Sequence, residues 1–400
     1  MKAGFRMMDS DIHVEEPSHF LTEYLDEPYR SKTRVFNERQ PGEVALRIVY
    51  ELDGKRFGGK RTAESQASGG NAILTRAQRK PPLHAYRDLD VNDLLSGMDV
   101  EGLDVGVVFP SRGNGLMALF ENISPDHGNA IAQAYNSWMH DFCGVNGKRL
   151  KPSAILNYMD PVAAAAEARR AAEELGAVAF SAPCTVVNGH QPHDAFYDPL
   201  WTELNRLGVP ICYHPSGAPS QEGSPKRLIG QLNSGTIEHS VFNPFCNMMN
   251  VASFTVGGIF ERFPNLKAGF LETGASWTVW LLSRLDDQWE LFGPDESWSL
   301  SMKPSEYFRR QGWVAVEPDE ENVKYVVDYL GEDRVVVSTD FPHPDCKYPE
   351  AMNQFVALEG ITDPVKQKIL WDNCAGLYNL DLETADRRLA SDRATSQRPR

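Results

Sequence analysis

Eight short apolar runs, each long enough for one buried strand and each followed by a helix-length stretch, set the tightest limit on how this chain can fold. They lie near residues 8–14, 105–109, 153–156, 177–182, 209–214, 267–272, 312–316 and 334–340. Runs such as Val105-Gly106-Val107-Val108-Phe109 and Arg334-Val335-Val336-Val337 are rich in β-branched and aromatic residues and do not alternate with polar ones, as expected of parallel strands covered on both faces. Stretches 161–175 and 320–330 between them carry helical periodicity, and Gly102 is placed as the C-cap of a helix holding Leu94, Leu95 and Met98. Eight β–α units with right-handed crossovers close most simply into an α/β (β/α)8 TIM barrel. Four hundred residues with 42% hydrophobic content are enough for one such elaborated domain, expected over residues 1–385.

Residues 30–90 break the rhythm. A helix-like stretch is expected to run to about Tyr29. Val44 to Glu51 then alternate apolar and polar residues, Asp53-Gly54 signals a tight turn and Lys55-Arg56-Phe57 returns, so a β-hairpin is expected inside an insertion near the barrel mouth. Its basic residues Lys55, Arg56, Lys60 and Arg61 read as a solvated surface. Residues 386–400 are charged and almost free of large apolar groups, which predicts a disordered tail.

Polar residues sit where four of the apolar runs end. Asp11-Ile12-His13 puts two metal-capable side chains at i and i+2 on one face of the first strand. Tyr213-His214-Pro215, Leu271-Glu272-Thr273 and Thr339-Asp340-Phe341-Pro342-His343 end three later runs. The C-terminal rim of a parallel barrel is where such residues converge, and together they read as one metal site. Taken singly, each histidine would be a hydrogen-bonded core residue and Asp340 a turn cap. Glu272, a carboxylate ending an apolar strand, is costly unless paired or used. His343 and Arg112, just past strand ends, are candidates to bind substrate, and His239 in Glu238-His239-Ser240 is a candidate acid or base that otherwise faces solvent. Trp277 and Trp280 read as packing on the helix after the sixth strand.

Composition narrows the partners. A net charge of −15 with no long Lys/Arg run argues against nucleic acid, and no apolar run approaches the length that spans a bilayer. The first thirty residues lack a signal-peptide core, so a cytoplasmic protein is expected. The six cysteines, at 143, 184, 212, 246, 346 and 374, form no C-x-x-C pair and read as reduced thiols. Cys212 and Cys346 lie closest to the proposed site.

The ordered set Asp11-Ile12-His13, Met98-Asp99-Val100-Glu101-Gly102-Leu103-Asp104, Tyr213-His214-Pro215-Ser216-Gly217, Gly257-Gly258-Ile259-Phe260-Glu261-Arg262-Phe263-Pro264, Phe270-Leu271-Glu272-Thr273-Gly274-Ala275-Ser276-Trp277, Thr339-Asp340-Phe341-Pro342-His343 and Asp372-Asn373-Cys374-Ala375 resembles the amidohydrolase-related (amidohydrolase 2) family. Aminocarboxymuconate-semialdehyde decarboxylase and γ-resorcylate decarboxylase are its best-known members. The resemblance implies a barrel with one divalent ion (Zn, Mn or Fe) held by Asp11 and His13 from the first strand, His214 from the fifth and Asp340 from the eighth. It departs from the family in two places. Many members carry His-x-His where this chain has Asp-x-His, and the decarboxylases place a histidine used in proton transfer where this chain has Glu272. No lysine stands in Val178-Ala179-Phe180-Ser181-Ala182, so no carbamate-bridged metal pair is expected.

The implied activity is metal-dependent chemistry on a small anionic, aromatic or unsaturated substrate. Decarboxylation is named first, with Glu272 or His239 delivering the proton. The alternative is hydrolysis of an amide, ester or vinylogous C–C bond with Asp340 as base. A third reading is a supporting subunit in a hetero-oligomer with a paralogous barrel; otherwise a homo-oligomer is expected.

Overall fold

In the computed structural model the described residues are 4–39, 46–58, 90–184, 186–215, 235–296, 299–343 and 345–381. The expected tail and the basic residues Lys60 and Arg61 lie outside them. The eight apolar runs form parallel strands in one sheet: β1 (Met8–Val14), β5 (Val105–Pro110), β6 (Leu150–Ile155), β7 (Ala179–Pro183), β8 (Ile211–His214), β9 (Ala268–Phe270), β10 (Gly312–Val316) and β11 (Val335–Val337), neighbours in that order. The sheet curls until its ends meet. His13 N–H donates to the Phe341 carbonyl at 2.7 Å, Asp340 N–H to the Asp11 carbonyl at 3.2 Å and Ser10 Oγ to the Val337 carbonyl at 2.7 Å, which joins the first strand to the eighth.

Two apolar layers hold this shape. Met8, Val105, Val107, Phe109, Cys212, Trp313, Ala315 and Val336 form a buried cluster with Trp371, Cys374, Leu377 and Tyr378 of the C-terminal helices. Ile12, Val108, Ile211, Tyr213, Phe270, Val314 and Val337 belong to the larger core beneath the outer helices. Alternation along each strand assigns its residues to one layer or the other. Helix boundaries follow local chemistry. Asp90 and Asp93 form a capping box at the start of Val91–Glu101, and Gly102 ends that helix with φ 83°.

The insertion holds more regular structure than expected. The hairpin β3 (Leu46–Leu52) and β4 (Lys55–Gly58) is present, and β2 (Thr33–Arg39) pairs antiparallel with β3 to make a three-stranded sheet. This sheet is tied to the barrel: Arg112 Nη2 donates to Asn37 Oδ1 at 3.1 Å, Tyr50 Oη to the Arg112 carbonyl at 3.2 Å, and the two His127 ring nitrogens lie 2.7 Å from Thr33 Oγ1 and 3.1 Å from Asp53 Oδ2. The stretch from Pro17 to Tyr29 is not the expected helix. It runs as successive turns, because Phe20, Leu21 and Leu25 are buried one after another, with Phe20 edge-on to Tyr135 and Trp138. Tertiary packing here overrides local helical pattern.

Glu16 anchors this region. Its carboxylate, fully buried, accepts from Arg112 N–H at 2.7 Å, Gly113 N–H at 3.0 Å and Tyr135 Oη at 2.8 Å. Glu16→Ala leaves three buried donors without an acceptor and is expected to lower stability by about 3 kcal/mol. The shift in the midpoint of chemical denaturation measures it.

Candidate metal centre and active site

The residues singled out at the strand ends converge at one rim of the barrel. Asp11, His13 and His214 form one group whose ligand atoms lie within 4.8 Å of one another, and His13, Glu272, Asp340 and His343 form a second. His13 joins the two. Its Nε2 lies 3.3 Å from Asp11 Oδ1 and 3.2 Å from Asp340 Oδ1, while His214 Nε2 lies 2.8 Å from Asp11 Oδ1. Nδ1 of His13 faces the Pro110 carbonyl at 3.2 Å. A proton on Nδ1 leaves the Nε2 lone pair directed at the carboxylates, the tautomer of a histidine ligand. His343 stacks on His13 with ring centres 3.9 Å apart, and its ring nitrogens face Asp340 Oδ1 at 2.7 Å and Ser111 Oγ at 3.0 Å.

Two buried atoms in this cluster, His13 Nε2 and Asp340 Oδ1, lack hydrogen-bond geometry to any partner, as does Nδ1 on the edge of the His214 ring away from Asp11. Polar groups this deeply buried are normally satisfied. The two imidazoles and two carboxylates also form a mixed N/O donor set of the kind that zinc, manganese and ferrous iron accept. The residues present therefore fit a divalent cation. The cluster favours positive charge at this point, which a proton on His13 supplies when no ion is bound. Burial opposes a charge on Asp11, yet His214 and His13 beside it hold its carboxyl well below the usual range; the same Asp11, joined by Asp340, raises His13 against burial.

A second layer beneath the rim escaped the sequence reading. Asp9 is fully buried, accepts from Asp11 N–H at 3.0 Å and Thr339 N–H at 3.2 Å, and also accepts from the Thr339 hydroxyl. Burial pushes its carboxyl up to about 8 despite these donors. Ser338 Oγ lies 3.3 Å from Asp11 Oδ2. The i, i+2 spacing that groups Asp11 with His13 also relates Asp9 to Asp11, and was the available signal.

Above the cluster opens a cavity of about 430 Å3 lined by His239, Asn243, Glu272, Thr273, Gly274, Glu317, Asp319, Glu320, Asp340, Asp345, Cys346 and Lys347. Six of these are acids. Loss of water and the nearby Asp340 raise Glu272 well above the usual carboxyl range, and Glu317 is pushed up to about 8 by burial with help from Asp340 and Glu320. Glu320 acts as a clamp. Its carboxylate accepts from the N–H groups of Ala275 at 3.0 Å, Ser276 at 2.7 Å and Glu317 at 3.2 Å, so the loop leaving β9 and the loop leaving β10 share one anchor. Glu317 ends the apolar run of β10 as Glu272 ends that of β9, and the same rule applied to both would have found it.

The remaining candidates are placed as follows. His239 lines the cavity, half exposed, with Nδ1 3.2 Å from Asp345 Oδ2. Arg112 is fully buried, bonded to Asn37 and Ser18, and is not among the cavity-lining residues. Cys346 lines the cavity, whereas Cys212 is buried with Sγ 3.9 Å from Tyr378 Oη. Trp277 packs partly buried against the core, but Trp280 is 61% exposed, so packing does not account for it.

Residues 81–380 match the family model described as Amidohydrolase. The chain belongs to the amidohydrolase family. The 2-amino-3-carboxymuconate-6-semialdehyde decarboxylase of Dictyostelium discoideum is 26% identical over 253 residues, 63% of this chain and 67% of that protein. The γ-resorcylate decarboxylase of Rhodococcus jostii is 28% identical over 271 residues, 63% of this chain and 77% of that protein. Among solved structures, the 5-carboxyvanillate decarboxylase of Novosphingobium aromaticivorans, complexed with manganese and 4-hydroxy-3-methoxy-5-nitrobenzoic acid, superposes with a TM-score of 0.67 at 18% identity, covering 95% of this chain and 97% of that one. This amidohydrolase is an enzyme of the same family, and no helix among its described residues is long and apolar enough to cross a membrane.

Glu272 and Asp340 share one further property. Both have left-handed backbones, with φ of 57° and 56°. Such conformations cost side-chain-bearing residues about 1–3 kcal/mol and cluster at functional sites. Glu272→Asn puts a residue tolerant of positive φ at this position and removes a confined carboxyl. It is expected to raise stability by about 1 kcal/mol while lowering turnover, checked by paired thermal-unfolding and rate measurements.

Proposed function

We propose that this amidohydrolase is a metal-dependent, non-oxidative decarboxylase of a small aromatic or unsaturated carboxylate. The observation that carries this reading is that the unsatisfied Nε2 of His13 and Oδ1 of Asp340 belong to one ion-sized group with a raised carboxyl, Glu272, and that Glu272 and Asp340 line the cavity. Asp11, His13, His214 and Asp340 would hold the ion. When bound, a divalent cation polarises a substrate oxygen beside the scissile carboxylate and offsets the negative charge of the site. The names of the related decarboxylases support the substrate class.

The chain's own groups supply the rest. Glu272, raised well above the usual carboxyl range by burial and by Asp340, donates its proton to the substrate carbon bearing the carboxylate. The new C–H bond takes its electron pair from the substrate's π system; the C–C bond then breaks, its pair refills that π system, carbon dioxide leaves, and Glu272 is left ionised. His239, held by Asp345 at the solvent edge, returns a proton to Glu272. His343 contacts the substrate beside Asp340, while Arg112, bonded to Asn37 and Ser18, ties the inserted sheet to the end of the second barrel strand. Glu317, protonated near neutrality, lets an anionic substrate enter a cavity that six ionised acids would repel.

In this reading residues 1–385 form one catalytic domain of a cytoplasmic homo-oligomer, supported by six cysteines that form no disulfide among the described residues. A hydrolase with Asp340 as base uses the same ligands but needs no proton donor at Glu272.

The test is carbon dioxide release from a panel of hydroxybenzoic acids and carboxymuconate-type acids, with manganese or zinc, beside ester and amide analogues. Turnover of a carboxylic acid supports the reading; turnover of only the esters or amides overturns it. Glu272→Gln is expected to lower kcat by about 10^2 to 10^4-fold with little change in KM. Because the donor must be protonated, kcat falls as pH rises through the Glu272 pKa, and that alkaline limb disappears in the variant. Elemental mass spectrometry of protein purified without chelator is expected to find about one divalent ion per chain, lost in the Asp340→Ala, His214→Ala double variant.

A further inference from the structure

The helix after β9, Trp277–Phe292, buries Thr278, Leu281 and Leu282 against the barrel and turns another stripe outward. That stripe is Trp280, Arg284, Asp287 and Leu291, at the i, i+4, i+7, i+11 spacing of one helix face. All four are open: Trp280 is 61% and Leu291 64% exposed, and the Arg284 and Asp287 side chains are 55% and 64% exposed. Trp and Arg are types enriched at protein interfaces, and an acid, otherwise depleted there, is accommodated when a base meets it.

The order of the stripe names its partner. Read in either direction it runs apolar, charged, charged, apolar, with the two charges opposite in sign. If two copies of the helix pack antiparallel about a twofold axis midway between Arg284 and Asp287, Trp280 of each copy meets Leu291 of the other and Arg284 of each meets Asp287 of the other. Ser283 and Gln288, flanking the same axis, meet in the same way. A face that is its own complement under a twofold rotation is the signature of an isologous dimer. Within one chain Arg284 Nη1 lies 2.6 Å from Asp287 Oδ2; across the axis the two pairs merge into a four-charge ring. The helix Val323–Leu330 packs beside this one.

We propose that this stripe is the centre of a twofold dimer interface and that its occupant is a second copy of the chain, joined through the antiparallel pair of Trp277–Phe292 helices. This rests on the homo-oligomer reading above, and the test separates the two. Sedimentation velocity across a dilution series reads the assembly directly. The native chain is expected to be a dimer or a multiple of it. Trp280→Glu with Leu291→Glu is expected to weaken the dimer at least about thirtyfold.

Reversing one charge, Arg284→Asp, puts two acids together twice across the axis and is expected to weaken the dimer similarly. The double reversal, Arg284→Asp with Asp287→Arg, is expected to restore it. Circular dichroism and the unfolding midpoint of each variant establish that the chain still folds. A native chain that stays monomeric at every concentration overturns both the oligomer and the interface. A native oligomer that survives the Trp280→Glu, Leu291→Glu change in a folded variant overturns this interface alone, as does a single charge reversal without effect.

Discussion

The seam between the first strand and the eighth is the contact on which everything else rests. A barrel of parallel strands exists only if its two outermost strands find each other, and in this chain they are more than three hundred residues apart in sequence. The seam combines backbone bonds from His13 and Asp340 with a buried carboxyl, Asp9, that accepts from Thr339 and from Asp11. Closure and site assembly are therefore one event. The bonds that close the sheet also fix Asp11 and His13 against Asp340, and the local cost of the left-handed backbone at Asp340 is carried by a scaffold that holds it from both sides.

The cavity raises a problem of charge. Six acids around a volume of about 430 Å3 would exclude an anion, and yet the related enzymes are named for carboxylic acids. The arrangement resolves this in layers. Deepest in the site, a cation-ready set of imidazoles and carboxylates supplies the sink for negative charge. Next to it, Glu272 and Glu317 are pushed toward their neutral forms by loss of water and by Asp340. At the outer edge, acids pair with bases, Asp345 with His239 and Asp319 with Lys347. The field seen by a ligand is thus far less negative than a count of acids implies, and it depends on pH and on the ion.

Much of this was legible because strand ends announce themselves. An apolar run that stops at a polar residue locates both the strand and its rim, so all eight strands and the residues Asp11, His13, His214, Glu272 and Asp340 could be read off directly. What escaped did so for physical reasons. The i, i+2 spacing puts Asp9 on the same face as Asp11, but its bonds to Thr339, far away in sequence, are set by the fold. The turns around Phe20 and the extra strand Thr33–Arg39 are set by packing against Trp138 and by pairing with β3, which outweigh local preference. Arg112 looks like a clamp for a substrate from sequence alone, and only the fold shows the inserted sheet that takes up its guanidinium.

The clamp made by Glu320 bears on how such a site can change over evolutionary time. Loops on barrel rims are usually regarded as modules, exchangeable one at a time over an unchanging frame. Here one carboxylate holds the backbone of two successive loops, at Ala275 and Ser276 on one side and Glu317 on the other. A loop transplanted after β10 without this acid would leave the segment behind Glu272 without its acceptor. The two loops are inherited together or not at all, and new specificities on this scaffold must arise by coordinated replacement of both.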